Sequence, residues 1–571
     1  MNGYWRWVIL VPAVMIFLSC SENRKKADLI LLHGKVVTLE KALPRAQAVA
    51  VRGDRIMAVG SDQEIQRMAG PKTKVIDLKG ALAIPGFIEG HAHFMSLGKA
   101  KMQLDLTKAR SWGDIVAMVA EAVRKAQPGQ WITGRGWHQE KWDRPPQPNV
   151  EGLPYHDRLS AVSPQNPVLL THASGHSCIA NARAMELAGI TDTTPDPPGG
   201  EIVRDSRGRA IGVFRETAQE LIGAAMRKSL ASRTPEQIEA ERRKMAALAT
   251  QECLSKGITS FHDAGEPFEV IDFFKKLVDE GKLGIRLYVM VRAGNEELRR
   301  RLKDYRMIGY GNHRLTVRAI KEYMDGALGS HGAWLLEPYA DLPSSTGLNV
   351  TPISQLQEAA RIAIKNDFQL CTHAIGDRAN REVLNIYEKT FRAHPGKKDL
   401  RWRIEHAQHL NPADIPRFAR LGVIAAMQGV HCTSDGPWVI KRLGYRRAKE
   451  GAYVWRSLWD SGAVVGNGTD APVEDVDPIP CYYATVTRRL ADGTQFFPEQ
   501  CLTREEALRS YTINNAYAAF EENLKGTLKP GKLADITVLS KDILTVPPEE
   551  ILSAKVVYTI VGGKVMYSRN D

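Results

Sequence analysis

The chain has 571 residues, of which 43% are hydrophobic, 25% charged and 7% aromatic, and its formal net charge is +12. This composition excludes a disordered, collagen-like or multi-span membrane protein and is typical of a globular one. The densest basic clusters, residues 299–301 and 446–447, have acidic neighbours and no interleaved aromatic residues, so a solvated helix face explains them better than a nucleic-acid surface. We therefore expect no nucleic-acid partner.

The N-terminus contains a signal-like segment. Arg6 precedes an apolar stretch, residues 7–18, which is shorter than the ~20 residues of a membrane-spanning helix. The stretch runs into Phe17-Leu18-Ser19-Cys20, which resembles a bacterial lipobox, although Phe17 replaces the usual leucine. The resemblance implies an exported lipoprotein of the cell envelope, with residues 1–26 as tether and the lipid on Cys20 as its only membrane contact. A cleaved signal with an incidental cysteine and an uncleaved anchor are the alternatives.

Short β-like segments separated by turn residues follow the tether and recur at the far end of the chain. They are residues 29–32, 35–39, 48–51, 55–59 and 75–78, and then 536–539, 556–560 and 565–567. Because the two ends of a domain usually lie close together, we predict one composite β-sandwich domain from residues 27–83 and 526–571.

The middle of the chain, residues 84–525, alternates between apolar runs of strand length and stretches of helical periodicity. This pattern is typical of parallel β/α architecture, and eight strands close a barrel. The runs are residues 87–93, 258–263, 285–291, 316–323, 368–373, 402–406, 423–428 and 463–466. The sequence therefore predicts an α/β protein with a (β/α)8 TIM-like barrel.

The interval between the first and second runs is too long for a plain loop. We predict an inserted subdomain at about residues 95–256, with a strand-like segment at 168–172 and a hairpin-like one at 200–212. Such an insertion would cover the C-terminal face of the barrel, where loops build active sites. The helix that follows it has a clear start, with Thr234 as N-cap, Pro235 next and Gln237 completing a capping box, and Gly257 as stop signal.

Side chains that bind metals recur where predicted barrel strands end. His91 and His93 close the first strand, and alternate residues of a strand face the same way, so both imidazoles would point into the barrel mouth. Lys321, His373, His406 and Asp470 lie near the ends of the fourth, fifth, sixth and eighth strands.

Each of these residues also has an ordinary interpretation. The histidines suit hydrogen-bonded core positions, Asp470 suits a turn or helix cap, and Lys321 suits an ion pair with Glu322 or Asp325. Their coincidence at the C-terminal ends of barrel strands nevertheless favours a shared site.

The motifs around these residues resemble those of the amidohydrolase superfamily, in particular its YtcJ-like branch, amidohydrolase family 3. The resemblance covers essentially everything after the tether. Its motifs are residues 83–93, 175–181, 257–263, 321–332, 372–377, 404–406, 468–473 and 526–535.

The resemblance implies two divalent metals per chain, with zinc expected. It implies that His91 and His93 bind the first metal, that His373 and His406 bind the second, and that Asp470 binds the first and accepts a proton. Lys321 would be N6-carboxylated and bridge the two, since a carbamate offers two anionic oxygens whereas an ammonium repels cations. If Lys321 remains an ammonium, a one-metal site is the better interpretation.

The resemblance further implies a hydrolase acting on a small molecule with a non-peptide C–N bond, in an amide, N-formyl group or cyclic amide. Metal-activated hydroxide would attack the carbonyl, and Asp470 would pass the proton to the leaving nitrogen. The alternatives are a lactonase or esterase, a deaminase, and a non-catalytic envelope binding protein. Gly376 stands where a deaminase carries the acid of an HxxE pattern after His373, and a binding protein has no need of six ligands.

Three further residues are candidate substrate contacts. His331 lies in Ser330-His331-Gly332, where many relatives have arginine, and its alternative is packing of the loop. His176 and Glu216 belong to the insertion, where relatives keep similar residues, and their alternative is a surface or turn position. The sequence leaves the substrate and the oligomeric state open, and a homo-oligomer is compatible with it.

Overall fold

The computed structural model describes residues 3, 26–139, 142–173, 175, 177–198, 200–231, 233–329 and 331–569. None of the helices in these ranges combines the length and apolar character needed to cross a bilayer. Cys20 and the rest of the expected lipobox lie outside the described residues.

A parallel barrel occupies the centre of the molecule. Barrel strands 1 to 8 are Phe87–Ala92, Ile258–Glu266, Arg286–Val291, Leu315–Tyr323, Gln369–Ala374, Arg403–His406, Ile424–Gln428 and Val465–Gly468. Each strand pairs in parallel with the next along the chain, and strand 8 lies beside strand 1. The predicted TIM-like barrel is thereby confirmed, and all eight predicted runs correspond to its strands.

Helices surround the barrel and share its hydrophobic core. The longer ones are Pro235–Ser255, Phe268–Asp279, Ile353–Lys365, Asp377–Ala393, His431–Leu443 and Pro478–Thr487. Shorter helices are Phe94–Ala100, Asn295–Arg301, Tyr310–His313, Ile415–Leu421, Tyr445–Gly451, Trp455–Asp460, Arg504–Ser510 and Ile513–Ala518. The helix from Pro235 begins as predicted, because Thr234 and Gln237 form a reciprocal capping box.

The segment between barrel strands 1 and 2 forms a six-stranded sheet with its own core. In sheet order its strands are Gly200–Arg204, Ala210–Glu216, Ser177–Ala180, Val168–His172, Ile132–Trp137 and Leu104–Asp105. Its helices are Trp112–Lys125, Asp157–Val162, Ala182–Leu187 and Gln219–Leu230, and Asn149–Val150 pairs with Leu153–Pro154. Trp137 is fully buried in this core and donates a hydrogen bond from Nε1 to the carbonyl of Leu170.

Two further sheets are built from the terminal segments, the first from N-terminal strands alone and the second from strands of both ends. One comprises Arg55–Gly60, Ala48–Arg52, Leu29–Leu32 and Lys74–Asp77, with the short helix Asp62–Gln66 beside it. The other comprises Lys564–Ser568, Val556–Val561, Ile536–Leu539, Leu82–Pro85, Lys35–Val37 and Arg45–Ala46. Leu31, Val51 and Ile536 belong to one hydrophobic cluster shared by both sheets, so the terminal segments pack together.

A buried ion pair connects the barrel to the C-terminal segment. Arg286, at the start of barrel strand 3, donates to Asp535 from Nε over 2.7 Å and from Nη2 over 3.0 Å. Both side chains are almost fully buried, and such a two-point contact fixes orientation as well as distance.

Candidate metal centre

Three predicted ligands converge where barrel strands 1 and 8 end. Asp470 Oδ1 lies 3.5 Å from His91 Nε2 and 3.3 Å from His93 Nε2. Within the part of the chain that the structure describes, this is the one group of three His, Cys, Asp or Glu residues whose ligand atoms all lie within 4.8 Å of one another. Two backbone hydrogen bonds fix the two strand ends together, from Asp470 to His91 and from His93 to Ala471.

His373 and His406 lie next to this group. The ring centroid of His406 is 4.8 Å from that of His91 and 4.5 Å from that of His373. His406 Nδ1 lies 2.7 Å from the side-chain oxygen of Gln428, which acts as acceptor, so the unprotonated nitrogen is Nε2. The structure therefore brings five of the six predicted ligands together at one end of the barrel, where each has another of the five as a neighbouring side chain.

Backbone strain marks two of the ligand positions. His406 has φ +74° and Asp470 has φ +57°, in the left-handed region that costs free energy for residues other than glycine. Such conformations persist at functional sites because the surrounding contacts hold them.

Lys321 lies in barrel strand 4 and is buried. Its Nζ is 3.4 Å from the carbonyl of Ala264 and 4.5 Å from the centre of the Tyr323 ring. Asp325, one of its expected ion-pair partners, accepts hydrogen bonds from the backbone N–H groups of Trp334, Ile375 and Gly376. Asp325 also faces His373, with 3.6 Å between Oδ1 and Nε2.

Burial and nearby charges keep the imidazoles of His91, His373 and His406 neutral. Burial, followed by the charge of Lys321, lowers the pKa of His91 to about 4 and that of His373 to about 3. Burial and the two neighbouring imidazoles lower the pKa of His406 well below its usual range. Neutral imidazoles present the lone pairs that zinc and similar divalent cations bind.

Asp470 is ionised in this environment. Burial alone would raise its pKa, but the nearby rings of His93, His91 and His406 hold the pKa well below its usual range. An anionic carboxylate among neutral imidazoles is the donor set of a divalent-metal site.

Unpartnered atoms show that this donor set fits a cation. His91 Nε2, His373 Nε2 and Asp470 Oδ1 are buried and have no hydrogen-bond partner among the described residues. Buried polar atoms are rarely left unpaired, because desolvating them costs free energy. A cation coordinated by these atoms would remove that cost.

A buried ion pair behind His91 was not predicted from the sequence. Arg403 donates to Glu405 from Nε over 2.6 Å and from Nη2 over 2.8 Å, and Glu405 also pairs with His91 Nδ1. Burial would raise the pKa of Glu405, but Arg403 and His91 lower it to about 2. The anionic carboxylate therefore holds the Nδ1 proton of His91 and leaves Nε2 free to coordinate a metal.

A second buried carboxyl group, that of Glu89, fixes the backbone of the site. Glu89 accepts hydrogen bonds from the backbone of His91 over 3.1 Å and from the backbone and hydroxyl of Thr469 over 2.8 and 3.0 Å. Burial raises the pKa of Glu89 to about 8. The only sequence signal for Glu89, Arg403 and Glu405 was a charged residue inside an apolar strand.

The three candidate substrate contacts have separate positions. His331 lies in the loop after barrel strand 4, with Nε2 3.2 Å from Asp341 Oδ1 and its ring 4.8 Å from that of Tyr339. His176 lies outside the described residues. Glu216 ends a strand of the inserted sheet, but its side chain is not among those described.

Similarity to known proteins covers almost the whole chain. The model of the amidohydrolase family, Amidohydro_3, matches residues 74–567. The putative amidohydrolase YtcJ of Bacillus subtilis (strain 168) is 32% identical over 550 residues, which cover 94% of this chain and 99% of that protein. The N-substituted formamide deformylase of Arthrobacter pascens is 28% identical over 550 residues, which cover 95% and 98%.

A solved structure has the same fold. The crystal structure of an uncharacterized metal-dependent hydrolase from Pyrococcus furiosus matches with a TM-score of 0.72 and 26% identity. The match covers 90% of this chain and 100% of that chain.

Proposed function

The chain belongs to the amidohydrolase family, and on that premise we propose that it is a metal-dependent hydrolase that cleaves a non-peptide C–N bond of a small molecule. The observation that carries this proposal is the cluster of His91, His93 and Asp470, whose ligand atoms lie within 4.8 Å of one another. Neutral imidazoles, an ionised carboxylate and unpartnered buried atoms support a divalent cation at this position.

We propose two divalent cations, zinc in the first instance. His91, His93 and Asp470 would hold the first, His373 and His406 the second, and N6-carboxylated Lys321 would bridge them. Bound cations of this kind supply Lewis-acid activation of water and of a substrate carbonyl. Lys321 as an ammonium would leave the cluster of His91, His93 and Asp470 as a one-cation site.

Asp470 is proposed to move the proton. In the hydrolysis of an amide, a bond forms between a water oxygen and the carbonyl carbon, and the C–N bond breaks. Asp470 starts as a carboxylate, so it can accept the proton that the water loses and deliver it to the leaving nitrogen, which departs as an amine. Asp470 Oδ1 lies 3.3 Å from His93 Nε2, so the carboxylate sits directly beside the proposed cation site.

N-formyl amines are the first substrates to test, because a relative that is 28% identical over nearly its full length is an N-substituted formamide deformylase. N-acyl amines, cyclic amides and ureas extend the same bond class. Lactones and amino-substituted heterocycles test the two alternatives, ester hydrolysis and deamination.

Metal removal tests the whole proposal. We expect the purified protein to contain about two equivalents of zinc and to hydrolyse at least one amide of the panel. Activity should disappear after dialysis against a chelator and return on adding zinc, with zinc measured by elemental analysis and products by chromatography. A stable, metal-free protein that binds an amide without cleaving it would instead be a binding protein, and cleavage of lactones alone would make it a lactonase.

We propose a domain division to go with this function. Residues 27–83 and 526–571 would form a composite β-sandwich and residues 84–525 the hydrolase barrel. An inserted subdomain, about residues 95–256, would shape the substrate pocket. The separate core of the inserted sheet and the cluster shared by the two terminal sheets support this division.

We further propose that the protein is exported and anchored to a membrane through a lipid on Cys20. The change Cys20→Ser should release the protein from the membrane fraction or leave it as an unprocessed precursor, since lipidation needs the thiol. Immunoblots of fractionated cells would measure both, with Cys501→Ser as the matched control. Unchanged membrane association and size in Cys20→Ser would contradict the anchor.

A further inference from the structure

A fifth histidine lies beside the candidate metal centre. His431 is the first residue of the helix His431–Leu443, three residues after barrel strand 7 ends at Gln428. Strand 7 lies between strand 6, which carries His406, and strand 8, which precedes Asp470. His431 therefore lies on the C-terminal rim of the barrel, between two of the proposed ligands.

The ring of His431 faces that of His406. The two ring centroids are 6.3 Å apart and the rings are within 11° of parallel. Only 8% of the residue is exposed, and its Nε2 is buried without a hydrogen-bond partner among the described residues. A buried imidazole nitrogen without a partner costs free energy unless something that binds there supplies one.

The segment that carries His431 is fixed in place. The backbone N–H of Gly429 donates to the side-chain oxygen of Asn467 in barrel strand 8 over 2.9 Å, and that of Val430 lies 3.2 Å from Cys481 Sγ. A rigid support of this kind holds a ligand-binding group at low entropic cost.

A polar cluster lies one helical turn beyond His431. Asp435 accepts hydrogen bonds from the Tyr453 hydroxyl over 2.5 Å and from Gln408 Nε2 over 3.1 Å. His431 is close enough for the two groups to interact electrostatically.

The same helix also holds the loop that carries His331. Arg442 donates from Nη2 to the carbonyl of Gly329 over 3.0 Å and pairs with Asp341, which in turn contacts His331. The helix His431–Leu443 thus connects the rim of the barrel to the loop after barrel strand 4 that carries His331.

From this arrangement we propose that His431 contacts the substrate and donates a hydrogen bond from Nε2 to its carbonyl oxygen. The inference rests on the proposed hydrolase function and adds a specific group that recognises the acyl part of the substrate. A carbonyl oxygen is the acceptor common to formamides, other amides and cyclic amides. A donor aimed at that oxygen is most effective when negative charge develops there during attack by water.

The test compares variants of the zinc-loaded full-length protein on N-butylformamide. His431→Ala should lower kcat about 100-fold with little change in KM, the scale for losing one donor to a developing oxyanion. His431→Gln keeps a side-chain N–H donor, so its kcat should be about tenfold higher than that of His431→Ala. Zinc content and melting temperature should match the wild type in both variants, and His394→Ala, at an exposed helix end, is the matched control.

The outcomes separate this inference from the proposed function. Rates of both variants within about threefold of wild type would overturn the role of His431 and leave the hydrolase proposal standing. Loss of zinc from the variants would also overturn it, since His431 would then belong to the metal site. If His431→Ala does not fold, His431→Gln decides by the same criteria. Failure of the wild type to hydrolyse any amide would remove both proposals.

Discussion

Replacing Asp470 by asparagine is expected to lower turnover at least about 100-fold while the protein remains folded. The carboxylate is ionised because His93, His91 and His406 hold its pKa well below the usual range. An amide of the same size cannot accept the proton that water must lose or deliver one to the leaving nitrogen. The backbone hydrogen bond from residue 470 to His91 remains, so the strand ends should keep their positions.

Steady-state hydrolysis of the best amide, together with circular dichroism and zinc analysis, measures this effect. Asp492→Asn is the matched control, because Asp492 is exposed in a turn and is not among the proposed ligands. Near-normal turnover in Asp470→Asn would exclude Asp470 as the proton carrier. A variant that loses zinc would instead show that the carboxylate acts mainly as a metal ligand, which the zinc analysis distinguishes from slow chemistry.

The barrel could be predicted because its strands are buried on both faces. Such strands read as continuous apolar runs, and their ligands stand out as polar residues at the ends of those runs, as His373 and His406 do. The boundaries were less predictable. Barrel strand 2 continues to Glu266, beyond the expected end at Asp263, through Gly265 with φ +122° and a shift in register. His93 follows strand 1 and occupies the N-cap position of the next helix without a side-chain capping hydrogen bond.

The supporting residues could not be predicted, because their partners are distant in sequence. Glu405 contacts His91 across 314 positions and Glu89 contacts Thr469 across 380. A charged residue in an apolar strand signals a buried partner but does not identify it. His431 is a similar case, since its position beside His406 follows from the neighbouring strands of the barrel and not from any motif spacing.

The other large effect is expected from the metal ligands themselves. His91→Ala should lower zinc affinity more than about 100-fold, which exceeds the effect of losing a supporting residue, and should reduce hydrolysis below detection at stoichiometric zinc. His91 is held in place through Glu405 at Nδ1 and a backbone contact to Glu89, so the alanine variant loses an oriented ligand.

Glu405→Gln provides the graded comparison for His91→Ala. It keeps His91 but removes the anion that orients the ring, so zinc affinity should fall about 10–100-fold. Activity should then recover when zinc is added in excess. It also leaves the buried Arg403 without its counter-ion, which should cost about 3–5 kcal/mol of stability. Elemental analysis after dialysis, zinc titrations of activity and thermal unfolding would measure the three effects, with His394→Ala as the surface control.

Full zinc occupancy in His91→Ala would contradict the assignment of this histidine and, with it, the site from which the function is inferred.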